Sequence, residues 1–123
     1  MAKILIIDDE SEIRAMLRQM LEREEFEVMD ASDGKEGIRL YQENPADLVI
    51  TDIVMPEKEG LETIMDLKKS YPDVKIIAIS GGRKIGPGEY LKLAERFGAI
   101  KTLTKPVRKE KLLKAIREVL HLN

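Results

Sequence analysis

Five short apolar runs alternate along the chain with longer stretches whose apolar residues recur every three or four positions. Lys3–Ile7 contains the uninterrupted run Ile4-Leu5-Ile6-Ile7, the pattern of a strand buried on both faces. Residues 12–22 follow with Ile13, Met16, Leu17, Met20 and Leu21 on one helical face, and this spacing places Met16 and Met20 in the core. Residues 26–31 carry a weaker strand signal. Ser32-Asp33-Gly34 then forms a turn and helix start leading through Ile38, Leu40 and Tyr41, and Asn44-Pro45 ends that helix before the strand Leu48–Asp52. Leu61, Ile64, Met65 and Leu67 mark a third helix, which stops near Tyr71-Pro72 ahead of a strand at 75–79. Gly81-Gly82 and Gly86-Pro87-Gly88 punctuate a loop, and a short helix through Leu91, Leu93, Ala94 and Phe97 closes at Gly98. A fifth strand at 100–104 and a last helix with Val107, Leu112, Leu113, Ile116, Val119 and Leu120 complete the pattern. Strands joined by helices must run parallel, with crossovers of one hand, so the fold class is α/β: a doubly wound parallel sheet covered on both faces.

Charges stand where these strands end. Asp52 closes the apolar run Leu48-Val49-Ile50-Thr51, and a carboxylate there is costly unless chemistry, a metal or a cation compensates it. Asp8 and Asp9 follow the first strand, while Lys105-Pro106 follows the fifth. The carboxyl ends of parallel strands share one edge, where ligand crevices form, so acids and a lysine distant in sequence are expected to meet.

Composition narrows the classes of function. With 123 residues and 43% apolar content, the chain is expected to form one domain over its whole length, 1–123. It has no cysteine, which excludes disulfides, thiol catalysis and cysteine-ligated metals. The apolar runs are too short to span a bilayer and the amino terminus lacks the order of a secretory signal, so a cytoplasmic location without membrane contact is expected. The net charge of −2 conceals an asymmetry: residues 1–73 hold 9 Lys and Arg against 19 Asp and Glu, whereas residues 74–123 hold 12 against 4. Two mutually attracting halves explain this as well as an acidic metal-binding edge set apart from a basic face for an acidic partner.

Four motifs, in order and at consistent spacing, carry a resemblance that covers essentially the whole chain: Ile6-Ile7-Asp8-Asp9-Glu10, the run from Asp52 through Met55-Pro56 to Gly60, Ile79-Ser80-Gly81, and Gly98-Ala99 followed by Lys105-Pro106. The chain resembles a two-component response-regulator receiver domain of the chemotaxis type. That resemblance implies a flavodoxin-like (βα)5 fold with strand order 2-1-3-4-5. It also implies that Asp52 is a phosphoacceptor, that Asp9, Asp52 and the backbone carbonyl of Val54 coordinate Mg²⁺, and that Asp8 acts through a bound water. Oxygen-only ligation suits Mg²⁺. Lys105 would pair with Asp52 and then with the phosphoryl group, Ser80 would offer its hydroxyl to a phosphoryl oxygen, and Gly81 would leave its amide accessible. A histidine kinase or a phosphotransfer protein would be the donor, and an output partner would be met through residues 88–117, with a homodimer on activation as one form of output. Direct nucleic-acid binding is not expected, since the acidic half opposes it and aromatic residues for stacking are few.

Taken singly, Asp9 reads equally as a helix cap and Ser80 as a turn residue. His121, near the end of the last helix, is not expected to be catalytic. A flavin carrier shares the fold but needs a phosphate-donating first loop, which Asp8-Asp9-Glu10 would repel. A Mg²⁺-dependent phosphatase could also use clustered aspartates, and the receiver could be a fragment of a larger regulator with a DNA-binding or enzymatic output. Two departures from the receiver pattern stand out. Thr102 replaces the Tyr or Phe found in many receivers three residues before the lysine, so no aromatic switch is available there. The loop after Ser80 is glycine-rich and long, so a signal from Ser80 must pass through it and the following helix.

Overall fold

The computed structural model describes residues 1–53, 59–81 and 87–122. Its elements are β1 (Lys3–Ile7), α1 (Ser11–Arg23), β2 (Glu27–Ala31), α2 (Gly34–Glu43), β3 (Leu48–Asp52), α3 (Glu59–Ser70), β4 (Ile76–Ser80), α4 (Pro87–Phe97), β5 (Lys101–Thr104) and α5 (Lys109–Leu120). All strand pairs are parallel and the sheet order is β2-β1-β3-β4-β5. The strands are apolar without interruption because both faces are covered. Ile4, Ile6, Leu48, Ile50, Ile77 and Ile79 pack on one side with Leu17 and Leu21 of α1 and Leu112, Leu113 and Ile116 of α5. Leu5, Ile7, Val49, Ile76 and Ala78 turn to the other side, against Tyr41, Ile64, Leu67 and Ala94 of α2, α3 and α4. From β1 the sheet is wound first outward to β2 and then, through β3, the opposite way. The carboxyl ends of β1 and β3 flank that reversal, the place where open parallel sheets take their ligands. Among the described residues no helix is long and apolar enough to cross a membrane.

Several expectations need correction. Met16 is 41% exposed, not core: Leu17 and Leu21 take the centre of the buried stripe of α1 and Met16 lies at its margin. Met65 is 43% exposed because α3 buries Thr63, Ile64 and Leu67, the side facing away from Met65. Thr63 is inside because Gly34 at the start of α2 leaves room for it; a Cβ there would stand 1.8 Å from the Thr63 hydroxyl oxygen. Pro87 and Gly88 belong to α4 and not to the preceding loop, and α4 runs 11 residues with proline in its first turn, where no amide hydrogen is needed. Strand β4 runs through Ser80, one residue past the expected end, so Ser80 is a ladder residue and not a turn residue. Gly82 and Gly86 lie outside the described residues.

Three helices end in the same device. In α4, Gly98 (φ 123°) and Ala99 donate their N–H groups back to Glu95 and Ala94; in α1, Glu25 (φ 68°) and Phe26 donate to Glu22 and Leu21; in α5, His121 (φ 58°) and Leu122 donate to Glu118 and Arg117. Only α4 uses glycine for the left-handed residue. Glu25 is exposed and bears a Cβ penalty, so Glu25→Gly should stabilise the protein by about 1 kcal/mol, read as a higher midpoint in urea unfolding. A lower midpoint would show that the acid compensates the backbone cost elsewhere.

Candidate functional site at the carboxyl edge of the sheet

Strand geometry delivers each acid to the edge in a different state. Asp8, one residue past β1, is 2% exposed and its side chain and main chain are held on every side. Its N–H donates to the Ala31 carbonyl at 3.1 Å, its Oδ1 accepts from the Glu10 N–H at 2.8 Å, its Oδ2 lies 3.3 Å from Lys105 Nζ, and its carbonyl accepts from Arg14 Nη1 at 2.7 Å. Asp9 is exposed. It is not the cap of α1, since Glu10 occupies that position and the Asp8 carboxylate, not Asp9, accepts from its amide. Asp52 ends β3 and is 3% exposed, and its Oδ2 accepts from Lys105 Nζ at 2.8 Å. Gly60 closes the floor behind it, because a Cβ there would lie 2.3 Å from the Ile53 Cα and 2.4 Å from the Asp52 carbonyl oxygen.

Lys105 ties the site together. The loop carrying it continues the β4–β5 ladder, with Lys105 N–H donating to the Ser80 carbonyl at 2.9 Å, and its peptide bond to Pro106 is cis. Its ammonium is shared by Asp52, Asp8 and Glu10, the last at 3.2 Å. Gly81 gives the lysine stem its path, since a Cβ on Gly81 would come within 3.1 Å of Lys105 Cδ. Ser80 is fully buried at the end of β4, beside Thr104 in register, and Thr102 is half-buried on β5 opposite Ala78. Val54, whose carbonyl was expected among the metal ligands, lies outside the described residues. Glu10 and Arg14 were not singled out from the sequence; adjacency to Asp8-Asp9 was the available signal for the first, and a basic residue one turn after Glu10 for the second.

Burial decides the electrostatics. The Asp8 carboxyl is pushed above its ordinary 3.8, chiefly by desolvation, against the lowering influence of the Glu10 amide and Lys105. Burial by itself would lower the Lys105 ammonium; the hydrogen bond to Asp52, the attraction of Asp52 and Asp8 and the bond to Glu10 outweigh it and raise the group above its ordinary value. Since the folded state holds the Asp8 proton more tightly than the unfolded chain, the charge on Asp8 costs stability at neutral pH, and that cost fades as pH falls toward 3.8. Asp8→Asn keeps the acceptor for the Glu10 amide and removes the charge. The metal-free variant should therefore be more stable than wild type at pH 7, by an amount that shrinks on acidification; thermal melts at pH 7 and pH 5 would read this, and a less stable variant at both would refute it.

Asp8, Asp9, Glu10 and Asp52 each offer one carboxylate oxygen, and these oxygens lie within 4.8 Å of one another. The donor set is all oxygen and anionic, with neither histidine nor thiolate, which fits a hard divalent cation of the Mg²⁺ kind.

A family model described as response regulator receiver domain matches residues 4–117. The chain is 40% identical over 122 residues to the chemotaxis protein CheY of Halobacterium salinarum, covering 98% of both chains. Its structure superposes on a response regulator receiver domain protein from Clostridium thermocellum with a TM-score of 0.90 at 37% identity, covering 98% of this chain and 95% of that one. It likewise matches the response regulator protein TrrA from Thermotoga maritima, solved in complex with Mg²⁺ and BeF, with a TM-score of 0.86 at 30% identity over 98% of this chain and 100% of the other. Order of strands, acid cluster at the sheet reversal, and likeness along nearly the full length agree: the chain belongs to the response regulator receiver domain family, the CheY-like receivers of two-component signalling.

Proposed function

We propose that residues 1–123 act as one cytoplasmic receiver that accepts a phosphoryl group on Asp52 from a histidine kinase or phosphotransfer protein and thereby changes its affinity for an output partner. The observation that carries this reading is the three-way contact of Lys105 with Asp52, Asp8 and Glu10 inside a cluster of four carboxylates. A buried carboxylate at a strand end, held against a lysine, is a candidate nucleophile, and its acidic neighbours are a ready site for a divalent ion. In the transfer, an Asp52 oxygen attacks phosphorus as the phosphorus–nitrogen bond of the donor breaks, and the electron pair leaves with the imidazole, which takes up a proton. Mg²⁺ held by Asp9, Asp52 and the Val54 carbonyl, with Asp8 through water, would supply charge neutralisation on the phosphoryl oxygens. Lys105 then exchanges its contact with Asp52 for the new phosphoryl oxygens. The Ser80 hydroxyl and the Gly81 amide, at the end of β4, would meet the same group. The protein is in this reading a switch, not a metabolic enzyme.

The output surface is α4, β5 and α5 within residues 88–117. Lys92, Arg96, Arg108 and Lys111 are exposed there, while Lys101 is half-buried and paired with Glu118 at 3.2 Å. An acidic protein partner would gain association rate from this face. Mg²⁺ titrated calorimetrically should bind the protein without phosphate, and Asp9→Ala with Asp52→Ala should abolish binding. Equal binding by the double variant would sink the assignment.

A further inference from the structure

The connection between β1 and α1 carries three of the four clustered carboxylates, and it is gripped from outside the pocket by an arginine that takes no part in the chemistry above. Arg14, in the first turn of α1, donates through Nη1 to the Asp8 carbonyl at 2.7 Å, and its Nε lies 3.4 Å from Asp30 Oδ1. Asp30, beside Ile6 in the β1–β2 register, accepts on Oδ2 from Arg18 Nε at 2.9 Å and Nη2 at 2.7 Å, and Arg18 Nη1 donates to the Val28 carbonyl at 3.1 Å. A guanidinium–carboxylate–guanidinium chain thus runs from the edge strand to the peptide that joins Asp8 to Asp9. The other side of the same residue is fixed to the same strand by the Asp8 N–H to Ala31. The plane of the Asp8–Asp9 peptide sets the direction in which the exposed Asp9 side chain leaves the backbone.

We propose that Arg14, anchored by Asp30, is a positioning residue for the divalent-cation pocket: by holding the Asp8 carbonyl it keeps the carboxylates of Asp8, Asp9 and Glu10 at cation-binding distance from Asp52. This rests on the reading of the pocket as a Mg²⁺ site. The plain alternative is an ordinary half-buried ion pair that stabilises α1 against β2, and the two differ in sign. As a cation near an acidic pocket, Arg14 repels Mg²⁺, so on charge alone its removal tightens binding; as a positioning group, its removal weakens binding. Lysine separates them further, because it keeps the charge but cannot reach Asp8 and Asp30 through two distinct donors of a planar fork.

The experiment is calorimetric titration of the full chain with Mg²⁺ at constant ionic strength, with melting of each metal-free protein alongside. Arg14→Gln and Arg14→Lys should both weaken Mg²⁺ binding by roughly tenfold, in the range seen when groups orienting metal ligands are removed. Asp30→Asn should reproduce most of that loss, and Arg14→Gln combined with Asp30→Asn should be no weaker than Arg14→Gln alone, the non-additivity of residues acting through one contact. Unchanged affinity in Arg14→Lys, or tighter binding in Arg14→Gln, overturns the proposal even if both variants melt earlier. Full additivity overturns the anchoring by Asp30. Should Arg14→Gln fail to fold, Arg14→Lys and Asp30→Asn carry the same comparison. A wild-type protein that binds no Mg²⁺ fails the metal-site reading itself, and the proposal falls with it.

Discussion

Asp52→Asn should take up no phosphoryl group from acetyl phosphate and Mg²⁺ under conditions in which the wild-type protein is expected to gain one, detectable by intact mass and removed by hydroxylamine. A carboxylate oxygen forms an acyl phosphate because it is anionic and leaves a reactive mixed anhydride; a carboxamide offers neither charge nor a free oxygen nucleophile. The substitution is close in shape, sits at a position only 3% exposed and removes one of several like charges, so loss of the reaction would not reflect loss of the fold. Lys105 keeps Glu10 and Asp8 as partners. A variant that still incorporates the group, or a wild-type phosphoryl group mapped to Ser80 or His121, would refute the role assigned to Asp52.

Lys105→Met has the second large effect, and it falls on stability. The lysine side chain is 18% exposed, while those of Asp52 and Asp8 are 2% and 3% exposed, so methionine fills the stem but removes the cation these two buried carboxylates share. Removing one partner of a fully buried pair costs about 3–5 kcal/mol, and the partial exposure here brings the expected loss to about 2–3 kcal/mol in urea unfolding without metal. The sign with pH follows from the two shifts. The Lys105 group is raised in the folded state, so its stabilisation is complete below its ordinary 10.5 and is lost only as pH rises through the higher folded value. On the acid side the gap between wild type and variant narrows as Asp8, raised by burial, takes up its proton. Mg²⁺ should restore part of the loss, because a bound divalent ion neutralises the same carboxylates and favours the folded state by mass action. A variant as stable as wild type at pH 7 without Mg²⁺ would mean that water, not Lys105, compensates the acids.

The strands and their two faces were legible because a parallel sheet covered on both sides leaves no polar positions: Ile4 and Ile6 go one way, Leu5 and Ile7 the other, and the run must be apolar throughout. The bounds of β1 and β3 follow from such runs, while the start of α4 did not, because proline and glycine mark loops and first helical turns alike. Helical stripes located α1 and α3 but misjudged Met16, since the period names a face without saying how wide the neighbouring elements make it.

The site divides in the same way. That acids and a lysine follow strands β1, β3 and β5 is a property of the sequence alone, and with parallel topology it obliges them to share one edge. Which acid is desolvated is not. Asp8 and Asp9 are identical neighbours, yet the alternation of the chain leaving β1 buries one beneath Lys105 and leaves the other in solvent, and burial raises the proton affinity of Asp8. Nor does the sequence disclose that Lys105 divides itself among three carboxylates, one of them Glu10 at a separation of 95 residues, or that Asp30 on the edge strand reaches the Asp8 peptide through Arg14. Residue type and local spacing set what chemistry each strand end can offer; distances between side chains far apart in the chain, and the water excluded around them, arise only when the sheet closes and the helices cover it.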